Sequence, residues 1–69
     1  MTAINSLMTI REVAEHMGQG ATSSEASRMR DLILNEAINY GWENISDIEE
    51  PEWFAMMEEA TKPAHPDYI

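Results

Sequence analysis

Between Thr22 and Gly41 the chain reads TSSEASRMRDLILNEAINYG, a helical signal with its own start and stop. Thr22-Ser23-Ser24-Glu25 has the spacing of a capping box, in which the hydroxyl and the carboxylate each satisfy a free backbone N–H. Gly41 stands where a helix closes through the left-handed conformation. A helix over 23–40 is therefore predicted. On a wheel of about 100° per residue, Ala26, Met29, Ile33, Ala37 and Tyr40 share one stripe with Leu32 beside it. Leu34 and Ile38 fall well outside that stripe. The apolar arc is about twice the somewhat over 100° that a surface helix carries, so one neighbouring helix cannot cover it. The expectation is that a second copy of the chain packs on the free face through Leu34 and Ile38, since C2 dimers are the commonest closed assembly. The alternative is that the third segment of the same chain covers it.

The flanking segments complete an all-α reading, a helical hairpin with a short C-terminal helix. Leu7, Ile10, Val13, Ala14 and Met17 recur at three- and four-residue steps, with Ser6 as N-cap, and predict a first helix over about 6–17. Gly18-Gln19-Gly20 ends it. In ISDIEEPEWFAMMEEATK a third helix, about 51–60, starts at Pro51, a residue suited to the first helical position. Trp53, Met56, Met57 and Ala60 share one of its faces, and Glu50 and Glu52 sit near its positive end. Residues 1–61 are read as one small domain and 62–69, with two prolines, as an extended or disordered tail.

With 69 residues, such a domain buries only about 60% of the surface its unfolded chain exposes. Small domains commonly recruit disulfides, metals or a second subunit. There is no cysteine, so the first route is closed, and the composition fits a reducing interior. The N-terminus has no secretory pattern, and no stretch approaches the roughly 20 apolar residues that span a bilayer. A soluble cytoplasmic protein without membrane contact is expected.

The net charge of -9 is uneven. Residues 1–42 hold five acids against three arginines, whereas residues 43–69 hold eight acids against Lys62 alone. Such a chain repels phosphate backbones and is steered toward basic protein surfaces. The charge also serves solubility by itself.

Catalytic and metal chemistry find little to work with. Glu12 and His16, four apart, make a metal half-site at best and read better as an i,i+4 ion pair or a solvated surface. Ser23, Ser24 and Ser27 are accounted for by capping and a polar helix face, and neither histidine has a matched partner for nucleophilic catalysis. No catalytic residue, metal ligand or cofactor is assigned, and the chain is read as a non-enzyme. TIREVAEHMG resembles the opening helix of helix-turn-helix regulators, with Ala14 and Gly18 suitably spaced and Arg28 and Arg30 on a following helix. Ser24 stands where that motif needs a buried aliphatic residue, and a small DNA-binding regulator is kept as an alternative.

NEAINYGWEN, residues 35–44, concentrates two of the five aromatic residues around a glycine. Tyr and Trp are enriched at interface hot spots with polar rims. Tyr40 and Trp42, with Glu36, Asn39 and Glu43 around them, are the candidate partner-binding residues. Glu43 meets the negative end of the second helix, an unfavourable place that a cationic partner would relieve. Trp42 is expected to cap the core between the second and third helices; for Tyr40, core and interface are both open.

A compact, cysteine-free, acidic, helical chain of this length resembles the small host-takeover inhibitors of bacteriophages. In size, hairpin pattern and acidity it is similar to the phage quorum-sensing anti-activators. That resemblance implies a homodimer, in the cytoplasm of an infected bacterium, binding the DNA-binding domain of a LuxR-type transcription activator and also a type IV pilus assembly ATPase. Anti-CRISPR proteins share the same general character and imply a nucleic-acid-binding surface as target instead.

Overall fold

The computed structural model describes residues 2–62. They form three α-helices, α1 (Ile10–Met17), α2 (Ser23–Tyr40) and α3 (Glu50–Ala60), with one 3-10 turn, Ile45–Asp47, between α2 and α3. The expected tail lies outside the described residues except for Lys62.

The capping box predicted for α2 is present. Thr22 Oγ1 accepts from the Glu25 N–H at 3.1 Å, and the Glu25 carboxylate accepts from the Thr22 N–H at 3.0 Å. At the other end Gly41 takes φ +77°, a left-handed conformation that a residue with a Cβ adopts only under strain, and its N–H closes on the Ala37 carbonyl. α3 begins one residue earlier than expected, with Pro51 in its first turn.

α1 corrects the expected first helix of 6–17. Ser6 is not its N-cap; Thr9 is, in a second capping box with Glu12, so the helix starts at Ile10. Two contacts hold the preceding residues out of helical conformation. Ile4 N–H donates to the Glu43 carbonyl and Ile45 N–H to the Thr2 carbonyl, both at 2.9 Å, forming an isolated antiparallel bridge at Ala3 and Asn44. Arg30 donates to the carbonyls of Met8 and Ser6. Without a helix there, the facing of the segment changes: Leu7, expected on the apolar stripe, is 82% exposed and Met8 is buried instead.

The core draws on every segment. Val13 of α1, Ala26, Met29 and Ile33 of α2, and Met56 and Ala60 of α3 close around one another with Met8 and Ile45. α1 and α3 each pack against α2. The second apolar face of α2 is thus covered within the chain at Leu34 and left open at Ile38. Leu34 packs half-buried against this core, whereas Ile38 stands 82% exposed. The i,i+4 ion pair between Glu12 and His16 is not formed: Glu12 accepts from the Thr9 N–H, and His16 Nε2 lies 3.0 Å from Thr2 Oγ1.

Candidate acidic and aromatic groove between α2 and α3

Leu32, Glu36 and Tyr40 repeat every four residues and so make one stripe along the last two turns of α2. Across from it, Glu52, Ala55, Met56 and Glu59 make the facing stripe of α3 at three- and four-residue steps. Trp42, placed by the turn at Gly41, closes the end. Together these residues line a groove of 280 Å³.

The two aromatic rings form a unit. Tyr40 and Trp42 stack with centroids 4.7 Å apart and planes 5° from parallel. The left-handed turn at Gly41 makes this possible, because it reverses the chain direction and brings residues two apart face to face. Trp42 is half-buried and packs on the core, as expected. Tyr40 is 56% exposed and is therefore no core residue, although one face of its ring is covered by Trp42.

Of the five residues read as partner-binding, Glu36, Tyr40 and Trp42 come together in the groove; Asn39 and Glu43 are exposed nearby and do not line it. Glu52 and Glu59 were missed. Their seven-residue spacing on a helix puts them on one face, yet only the docking of α3 shows that this face meets Tyr40. Glu52 carries an unusual feature: its Oε1 is shielded from solvent and has no hydrogen-bond partner, alone among the buried side-chain oxygens and nitrogens of the described residues. An acceptor in that condition costs about 1–3 kcal/mol relative to a partnered one, and more when charged. Glu59 pairs with Lys62 at 3.3 Å, an exposed contact of little energetic weight.

The turn that presents Trp42 is clamped by Asp47. Its Oδ2 accepts from the N–H groups of Asn44 at 2.9 Å and Glu43 at 3.0 Å. These donors, Asn44 first and Glu43 second, hold the Asp47 carboxyl below its ordinary 3.8. A group depressed in the folded state contributes stability above its unfolded value, and that contribution is lost as pH falls through the folded one. The thermal midpoint of the natural chain should therefore exceed that of Asp47→Asn at neutral pH, and the gap should close as both are melted at successively lower pH, below the unfolded value of 3.8. A gap that stays constant with pH would show that the Asp47 charge does not matter to the turn.

The basic residues are mostly engaged. Arg28 Nε donates to the Ala60 carbonyl at 2.8 Å, tying α2 to α3, and Arg30 is held by Met8 and Ser6. The two arginines assigned to a recognition helix in the helix-turn-helix alternative thus brace the fold. Among the described residues no group of three or more His, Asp or Glu is placed to hold a metal ion, and no helix is long and apolar enough to cross a membrane. Comparison of the chain with protein-family models, curated proteins and solved structures finds no match.

Proposed function

We propose that this protein is a non-enzymatic, stoichiometric inhibitor that occupies a basic surface of another protein. In line with the phage anti-activators it resembles, the proposed target is the DNA-binding domain of a LuxR-type transcription activator, with a type IV pilus assembly ATPase as a second target, in the cytoplasm of an infected bacterium. One observation carries the reading: an exposed Tyr40, stacked on Trp42, stands at a groove flanked by Glu36, Glu52 and Glu59. This is an aromatic anchor in an acidic rim, the composition that a basic protein surface matches.

The mechanism needs no turnover. A net charge of -9 raises the encounter rate with a basic domain, the aromatic pair supplies the contact that slows dissociation, and the domain's phosphate-binding face is then covered. One groove per chain suffices. The homodimer is a separate expectation that now rests on the exposed Ile38.

The test is displacement of a labelled promoter duplex from the activator domain. Release at one chain per domain is expected, with no binding of the chain to the duplex itself. The association rate should fall steeply as salt rises, because screening shortens to about 8 Å at physiological ionic strength. Direct binding of duplex DNA by the chain, or an activator that keeps its DNA against an excess of the chain, would sink the proposal.

A further inference from the structure

The groove between α2 and α3 has a more specific chemistry than negative charge. We infer that it is a receptor for a single arginine side chain of the partner and that it discriminates arginine from lysine. This rests on the reading of the groove as a protein-docking site.

Size limits the occupant first. The 280 Å³ of the groove falls just below the range of about 300–1,000 Å³ found for small-molecule sites. One long side chain fits that space better than a peptide helix or a drug-sized ligand. The apolar lining from Leu32, Ala55 and Met56 suits the methylene stem of a cationic side chain, which buries its stem and keeps its charge at the mouth.

The aromatic wall then selects the head group. Tyr40 and Trp42 are not splayed into a cage that would surround a compact ammonium; they are nearly parallel, so each covers one face of the other. What remains is a flat outer face at the end of a stack. A planar guanidinium continues such a stack, whereas an ammonium meets it as a point charge with its hydration shell intact.

The carboxylates complete the recognition. Glu52 Oε1 is withdrawn from solvent with no donor facing it, an acceptor that the fold leaves unpaired. Guanidinium presents several N–H groups in a fixed fork, so once the Glu52 carboxylate turns out of its shielded position one can meet it while another reaches Glu36 or Glu59 at the rim. Among the described residues no arginine or lysine fills this role: Arg28 and Arg30 are bound to carbonyls, Arg11 lies on α1, and Lys62 reaches Glu59 without lining the groove.

The experiment is an amide and indole NMR titration of the full chain with three capped tripeptides, Ala-X-Ala, where X is arginine, lysine or citrulline. The arginine peptide should shift the Trp42 indole and the amides around Glu52, Ala55 and Glu59. Lysine should bind about tenfold more weakly, a difference of about 1.4 kcal/mol, and citrulline, flat but uncharged, should leave these signals in place. Glu52→Gln, with an otherwise unchanged spectrum, should abolish the preference for arginine. Equal affinity for arginine and lysine, shifts that fall away from the groove, or a preference that survives Glu52→Gln would each overturn the inference. These outcomes are independent of the displacement assay. Arginine binding in the groove with an activator that keeps its DNA would refute the anti-activator reading alone; displacement with indistinguishable peptides would refute the arginine receptor alone.

Discussion

Ile33→Ala is expected to leave the chain largely unfolded in the absence of denaturant. Ile33 is fully buried near the centre of α2, in a core to which α1 and α3 both contribute. Truncating such a side chain costs about 2–5 kcal/mol, because the lost burial is compounded by a cavity that the surroundings fill only in part. A single core in a chain this short supplies about 3–5 kcal/mol in total. The two magnitudes are comparable, so one substitution should consume most of the stability. Far-UV circular dichroism during urea denaturation reads this directly. Phe54→Ala is the control: Phe54 is a larger apolar residue on α3, but it is exposed, and its removal should shift stability by no more than about 0.5 kcal/mol. Equal midpoints for Ile33→Ala and the natural chain would mean that α2 is not the centre of the core.

Tyr40→Ala should behave in the opposite way, removing partner binding while the helices stay intact. A hot-spot tyrosine costs about 2 kcal/mol or more on truncation, which is a loss of about thirtyfold in affinity. The cost to folding is limited to the stack on Trp42, about 0.5–1.5 kcal/mol beyond area burial, since more than half of Tyr40 already faces solvent. Tyr40→Phe keeps the ring and should retain most of the binding. Calorimetric titration against the activator domain, with a melt of each variant, separates the two quantities. A Tyr40→Ala chain that unfolds as Ile33→Ala does would make Tyr40 a structural residue, and one that binds with undiminished affinity would remove it from the interface.

The contrast between these two residues was not accessible from the helical wheel, which puts Ile33 and Tyr40 on the same stripe of α2. They differ because a stripe describes only direction around the axis. Position along the axis decides what lies opposite, and at the last turn of α2 the opposing element is the rim of a groove. Leu34 shows the reverse case. It lies off the stripe, yet packs half-buried on the core. Only Ile38 kept the exposure expected of a second face.

What the sequence determined by itself are the features whose causes lie within a few residues. The all-α character, the capping box at Thr22, the stop at Gly41 and the apolar face of α3 follow from hydrogen bonds and side-chain spacings no longer than about two helical turns. The same local rule places the start of α1 at Thr9 and Glu12, three residues beyond Ser6. The tertiary structure decided everything that depends on which distant segments meet. Arg30 holds the backbone at Ser6 and Met8, the N-terminal residues pair with Glu43 and Ile45, and α3 brings Glu52 and Glu59 opposite Tyr40. Capping energies are local and legible one segment at a time. Burial is shared among surfaces far apart in the chain, so the packing of Leu34 and the groove between α2 and α3 exist only once the helices have packed.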